Sequence, residues 1–380
     1  VKITGYPACH IMVHNEQVVQ RVCPFCGLIK YLLMKITNML LLSLFISLLS
    51  CGNMHQYETI INDLRVQHGY KDHFLGTFRC GVFVPPDYDP GKKYPLIIFL
   101  HGYSDTTTWD MGWYHDPVLS ADPCIVITPK CPVTEKKGWG GSWDSKPSPM
   151  MAKAFEMIDL VGQALNLDSS RFYICGSSMG GFGTFAAIRQ HPDLFAAAYV
   201  ECANGDTGMA AILTKIPLWM FHGSEDPVVP VKGARDMYEA VRHAGGNQIR
   251  YTEYKGVGHN VWDYTGKEKT LTPWLLAQKK GIVHNTPDSL MNLKATVTGS
   301  QDVLLAWDMP AGRTDPDDQV WYTRIYRDGQ VISEVYNDQN TYTDSTVVSG
   351  KPCLYQVSAV NYYFWESALS PALTVVPGKQ

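Results

Sequence analysis

The sequence predicts an α/β domain built on a mostly parallel sheet, followed by a smaller all-β sandwich. Three observations carry this. From Phe78 onward, short apolar runs alternate with helical segments, as parallel strands joined by crossover helices do. The stretch Arg171–Gly183, RFYICGSSMGGFG, reads as a strand, a sharp turn and the start of a helix. After Gly281 the pattern changes to short alternating runs separated by turn residues, the signature of a sandwich.

Taken in order, Arg79–Val84 reads as a strand and Pro85–Tyr88 as a turn. Tyr94–Leu100, YPLIIFL, is apolar throughout, as a central parallel strand buried on both faces must be. It leads directly into His101-Gly102-Tyr103. Glycine lets the backbone turn there, so that the Tyr103 N–H points inward, while His101 is read as bracing the loop. Cys124–Thr128 is the next strand, and Lys130–Met150 follows with little regular pattern. An irregular segment of roughly twenty residues inside a compact domain is usually functional or disordered. Its Trp139 and Trp143, set among glycines, are expected either to wall the site or to pack on the core. A helix with the apolar stripe Ala154, Ile158, Val161 and Leu165 precedes the strand Phe172–Cys175.

That strand runs into Gly176-Ser177-Ser178-Met179-Gly180, a G-x-S-x-G sequence. A serine on such a turn projects its hydroxyl clear of the sheet, and the residues two before and two after must be small. Ser178 has that symmetric glycine spacing and Ser177 does not, so Ser178 is the expected nucleophile. The following helix directs its N-terminal dipole at the site, which favours developing negative charge. Tyr103 N–H and Met179 N–H are the natural pair of oxyanion donors.

Beyond the elbow, Ala196–Cys202 and Leu218–His222 read as strands, the latter running into GSEDPVVP. Asp226 follows that strand end on a loop stiffened by two prolines, and its spacing suits the role better than that of Glu225. Val231–His243 is a helix and Ile249–Tyr254 the last strand, before a loop carrying His259 and Trp262. The chain order Ser178, Asp226, His259 is that of α/β-hydrolases and not of chymotrypsin or subtilisin. Serine needs a base within hydrogen-bond reach, which His259 would supply, and Asp226 would fix the imidazole tautomer.

The segments LIIFLHGYSD, RFYICGSSMGGFGTF, FHGSEDPVVP and GVGHNVWD resemble bacterial α/β-hydrolase esterases. The nearest groups are predicted peptidases and phospholipase/carboxylesterase-like proteins, related to polyhydroxybutyrate depolymerases and to feruloyl and acetylxylan esterases. The likeness runs from about Phe74 to Lys280. It implies an α/β-hydrolase fold, the triad Ser178, Asp226 and His259, and Tyr103 and Met179 as oxyanion donors. It also implies a metal-independent reaction, and a counterpart to the loop that carries Trp139 and Trp143. Trp139, Trp143 and Trp262 are the candidate substrate contacts, and no cofactor is expected.

The chain has 380 residues, room for about two domains, with 45% apolar and 18% charged residues and a net charge of -4. That balance gives no reason to expect nucleic acid as a partner. Ten Trp and 21 Tyr suit carbohydrate or aryl-group binding, but aromatics also fill sandwich cores. Met34–Leu49 has the basic start and apolar run of a secretory signal, too short to span a bilayer comfortably. It ends LLSCG, which resembles a bacterial lipoprotein signal with Cys51 lipidated. Gly52, being non-acidic, points to the outer membrane. Cleavage without lipid is the alternative. Residues 1–33, including the Cys23/Cys26 pair, are read as lying upstream of the true start at Met34. The later cysteines lack metal-ligand spacing and are expected as buried thiols.

The expected organisation is a signal over 34–51, a catalytic domain over 70–281, a linker over 282–290 and a β-sandwich over 291–378. The runs LLAWDMP, RIYRDG and YQVSAVNYYFWESALSP resemble an immunoglobulin-like, fibronectin type III-like module, which puts Trp307 and Tyr355 in its core. The expected function is an exported serine carboxylesterase at the cell surface, outer membrane or periplasm of a bacterium. Its substrate would be an acyl ester, acetyl or feruloyl, carried on polysaccharide, and it would meet the membrane only through a lipid on Cys51. A serine peptidase and a non-enzymatic surface binding protein are the competing readings.

Overall fold

The computed structural model describes residues 53–103, 117–132, 134–135, 138–140, 148–282, 285–298, 302–310, 319–336 and 339–378. The stretches carrying Cys51 and Trp143 lie outside them.

An eight-stranded sheet organises the first part. Its strands are β1 (Gly69–Leu75), β2 (Phe78–Val84), β3 (Tyr94–Leu100), β4 (Ile125–Pro129), β5 (Leu167–Ser177), β6 (Ala197–Glu201), β7 (Leu218–Gly223) and β8 (Ile249–Tyr254). The spatial order is β1-β2-β4-β3-β5-β6-β7-β8. The first two strands are antiparallel additions at one edge, and β4, β3, β5, β6, β7 and β8 run parallel. Every residue of β3, β4, β6 and β7 is buried, which is why these strands read as continuous apolar runs. Helices α1 (Pro149–Ala164), α2 (Met179–Gln190) and α3 (Val231–His243) accompany the sheet. Ser148 caps α1 by accepting from Met151 N–H, with Pro149 at its first position. Short helices α4 (Trp262–Thr265) and α5 (Leu271–Ala277) follow β8.

The second part holds two antiparallel sheets. One contains β9 (Met291–Thr298), β10 (Asp302–Asp308) and β13 (Thr341–Asp344) in the order β13-β10-β9. The other contains β11 (Val320–Arg327), β12 (Gln330–Tyr336), β14 (Cys353–Asn361) and β15 (Leu373–Val375) in the order β12-β11-β14-β15. The β11–β12 hairpin turns at Asp328-Gly329, both with positive φ, as a two-residue turn requires. Trp307 and Tyr355 are buried in the core shared by the two sheets, as the sequence predicts.

The two parts share a core. Trp321 and Tyr322 of β11, with Val360 and Phe364, join the apolar cluster that contains Trp219 of β7 and Trp274 of α5. Trp219 meets Trp321 edge-on at 5.3 Å, and Trp274 stacks on Phe364 at 5.1 Å. Into this cluster β8 inserts Arg250. Its guanidinium carbon lies 4.6 Å from the Trp219 ring, 4.8 Å from Trp321 and 4.5 Å from Tyr322. Nη2 reaches Glu334 at 3.2 Å, while Nε and Nη1 have no hydrogen-bond acceptor. The aromatic faces supply the negative potential that such acceptors would otherwise provide. The segment Thr59–Gln380 is accordingly one compact unit.

Trp321 is fully buried at the junction of the two parts. Trp321→Ala is expected to lower stability by about 3–5 kcal/mol. It should also split a single thermal transition, followed by calorimetry, into two. Two independent transitions in the unaltered chain would show that the shared core does not couple the parts.

Candidate active site

Three loops at the C-terminal ends of parallel strands bring the site together, the place where an open α/β sheet offers its crevice. Ser178 sits between β5 and α2 with φ 52° and ψ -117°, a conformation that strains a side-chain-bearing residue. What holds it is the close crossing of strand, helix and neighbouring strand. A Cβ on Gly176 would run into the Gly180 backbone, and one on Gly180 would run into the carbonyl of Leu100 at the end of β3. Only glycine fits either place.

Ser178 is the residue before the first turn of α2, yet its hydroxyl makes no capping hydrogen bond to that helix. It faces His259 instead, with Oγ 2.9 Å from Nε2. His259 Nδ1 lies 2.7 Å from Asp226 Oδ2. A carboxylate only accepts, so Nδ1 carries the proton and Nε2 is left to accept from the Ser178 hydroxyl. Asp226 is held from every side. Its Oδ1 accepts from Val228 N–H at 2.8 Å and Val229 N–H at 2.9 Å, and His222 Nε2 stands 3.3 Å from Oδ2. Burial works against its charge. The His259 hydrogen bond and the two backbone N–H groups outweigh that and keep the carboxyl below the ordinary range. Glu225, the competing acid, is exposed.

The loop after β3 passes the nucleophile closely. A Cβ on Gly102 would stand 3.7 Å from Ser178 Cβ, and Tyr103 follows with its side chain 61% exposed. Met179 is the first residue of α2, where backbone N–H groups have no partner within the helix. Beside them His101 is buried and fixed. Its Nε2 accepts from Cys131 N–H at 2.9 Å and its Nδ1 donates to Gly102 O at 2.7 Å. This is the loop-bracing role expected for it.

Trp139 requires a correction. It is fully buried, its indole N–H donates to His101 O at 3.1 Å, and its side chain lies against Gly183 of α2. With no exposed face it braces the elbow from behind and cannot wall a substrate. Trp262 is half-buried and meets His259 edge-on at 5.9 Å. Trp143 lies outside the described residues. The six described cysteines are free and buried, and no group of three or more His, Cys, Asp or Glu among the described residues gathers as metal ligands.

Two buried groups next to the site escaped sequence reasoning. His222 ends an otherwise apolar run, and its Nε2–H donates to Val229 O at 2.9 Å beside Asp226. Glu201 ends the strand AAYVE, is 2% exposed, and its backbone oxygen accepts from Ser178 N–H at 2.9 Å. An ionisable residue closing a fully buried strand is a legible signal, since an unpaired buried acid is costly.

Because the folded state holds the Asp226 carboxyl below its ordinary value of 3.8, the unfolded chain binds its proton first as pH falls. Its contribution is therefore present above pH 3.8 and is lost as pH drops through the lower folded value. Asp226→Asn should melt lower than the unaltered chain at neutral pH, and the gap should close below pH 3.8. A gap independent of pH would assign the effect to packing alone.

Parts of this chain are similar to known esterases and to a dipeptidyl-peptidase. The Esterase family model matches residues 76–242, under half of the chain. A bifunctional acetylxylan esterase/xylanase from Neocallimastix patriciarum is 27% identical over 150 residues, covering 39% of this chain and 21% of that protein. Dipeptidyl-peptidase 5 of Porphyromonas gingivalis is 28% identical over 130 residues, covering 32% and 19% respectively. The chain thus spans about a fifth of the length of these curated relatives. Among solved structures, a thermostable esterase is 29% identical with a TM-score of 0.50, covering 58% of this chain and 64% of that one. The eight-stranded, mostly parallel sheet with its serine elbow is an α/β-hydrolase fold, and over residues 76–242 the chain is similar to esterases.

Proposed function

We propose that this chain is an exported serine carboxylesterase that removes acyl groups, acetyl or feruloyl, from polysaccharide. The observation that carries the reading is the continuous relay from Ser178 Oγ through His259 to Asp226, at 2.9 and 2.7 Å. Ser178 attacks the acyl carbonyl while His259 Nε2 takes its proton, and Asp226 stabilises the imidazolium that forms. The oxyanion develops toward the N–H groups of Tyr103 and Met179, aided by the N-terminus of α2. His259 then protonates the departing sugar oxygen, and water releases the acid from the acyl-enzyme by the same steps in reverse. The reaction takes no metal and no cofactor.

In this reading residues 70–281 form the catalytic domain. Residues 291–378 form a fibronectin type III-like module, for which the three-on-four strand arrangement speaks. The signal-like stretch ending at Cys51 would export the chain and anchor it by lipid at the outer membrane. The similarity to an acetylxylan esterase supports an acetyl ester on xylan as the first substrate class to try. A second reading, peptide-bond hydrolysis by the same relay, is favoured by the similarity to a dipeptidyl-peptidase.

The test compares the full chain with Ser178→Ala on acetylated xylan, methyl ferulate, an activated acetate ester and a dipeptide p-nitroanilide. Ester turnover should dominate. Ser178→Ala should fold normally and lose activity by several orders of magnitude, keeping only the roughly thousand-fold advantage over water that oxyanion donors and binding supply. Dominant amide cleavage would instead select the peptidase. The same loss in Ser177→Ala, with Ser178→Ala active, would refute the assignment of the nucleophile.

A further inference from the structure

Beneath the elbow lies a polar cluster that the relay does not use. Glu201, at the end of β6, is enclosed in the sheet, and its Oε1 lies 2.5 Å from the Thr265 hydroxyl at the end of α4. That hydroxyl also lies 3.0 Å from the carbonyl of Val261. Thr265 has one hydroxyl proton, and a carbonyl oxygen can only accept. The hydroxyl can therefore serve only one of these two acceptors, and when its proton is directed to Val261 O a protonated Glu201 carboxyl can supply the proton of the short contact. Glu201 Oε2 has no hydrogen-bond partner and Glu201 joins no ion pair among the described residues, as suits a neutral acid and not a buried charge.

Both ends of this contact lead to the relay. The Glu201 backbone oxygen holds Ser178 N–H, and β6 pairs with β5 so that Glu201 stands opposite Ser177. Thr265 closes the helix that begins at Trp262, whose ring meets His259 edge-on. We infer that Glu201 is a positioning residue, whose neutral carboxyl donates to Thr265 and so ties the histidine-bearing loop to the strand end that seats the nucleophile. This rests on the reading of Ser178 and His259 as nucleophile and base.

Ionisation would remove the donor and place a charge with no counter-ion under the site. Burial is the dominant influence on the Glu201 carboxyl and raises it to about 7. The titratable groups around it do not charge in that range. Burial raises Cys175 on β5, Tyr199 on β6 and Tyr254 on β8, and takes Cys202 to about 12. Burial also lowers His222 on β7 and so favours its neutral form, and Asp226, which acts on Cys202, is ionised throughout. The folded state holds the Glu201 proton more tightly than the unfolded chain, so stability falls as pH rises from 4.5 through about 7.

The experiment records kcat and KM against pH, together with melting temperature against pH, for the full chain, Glu201→Gln, Glu201→Leu and Thr265→Val. In the unaltered chain kcat should fall as pH passes about 7, with KM nearly constant. Glu201→Gln, whose amide donates to Thr265 at any pH, should lack that fall and should melt above the unaltered chain at pH 8 but not at pH 4.5. Glu201→Leu and Thr265→Val should lose about tenfold or more in kcat at every pH. The alkaline fall persisting in Glu201→Gln, or Glu201→Leu matching Glu201→Gln, would overturn the proposal. The melting curves need no substrate, so they test Glu201 separately from the esterase assignment. Ester turnover surviving in Ser178→Ala would reject that assignment while leaving the melting result intact.

Discussion

The left-handed backbone of Ser178 is the constraint on which the rest of this site depends. A residue with a side chain stays at φ 52° only when its surroundings leave no alternative. Here the surroundings are backbone: β5 and α2 cross with no side chain between them, and the carbonyl of Leu100 closes the third side. This crossing turns the hydroxyl away from its own helix and toward another loop. It also brings the ends of β3 and β6 against the same residue. Gly102 and Glu201 thus become neighbours of the nucleophile although they lie far apart in sequence.

Electrostatics then separates two buried acids by environment. Asp226 accepts hydrogen bonds at both oxygens and stays ionised, because those bonds outweigh the cost of burial. Glu201 has too few donors to offset the same cost, and its proton is held instead. One carboxyl is therefore suited to accept and the other to donate within a single cluster of loops. The division follows from which loop supplies free N–H groups: the turn after β7 offers two to Asp226.

Much of the fold was legible because buried parallel strands announce themselves. YPLIIFL and the strands before Asp226 and His259 are legible to within a residue of their ends, whereas the run before the elbow is legible only from Phe172, although β5 begins at Leu167. Strand β1, GYKDHFL, is not legible, because it is an edge strand whose run is broken by the polar Lys71, Asp72 and His73 and which pairs only with β2. Trp139 misled for the opposite reason. Tryptophan among glycines suits a binding wall, but Gly183 opens a slot on α2 and the carbonyl of His101 accepts the indole N–H, so the ring is drawn inward. The relay residues were found by order and spacing, whereas the Glu201–Thr265 contact joins residues 64 apart across two strands and no local pattern reports it.

The cation held between Trp219, Trp321 and Tyr322 also bears on how such a chain could be rearranged. A β-sandwich attached by a bare tether is an exchangeable cassette, replaceable by another fold without harm to its neighbour. Here the hydrolase supplies an arginine whose solvation is completed by rings from the sandwich. A substitute lacking those rings would leave a desolvated charge and an open indole surface behind. The two parts are therefore heritable only as a pair. A transplant that aims to keep either one must carry Arg250 and its aromatic lining with it, or replace them together.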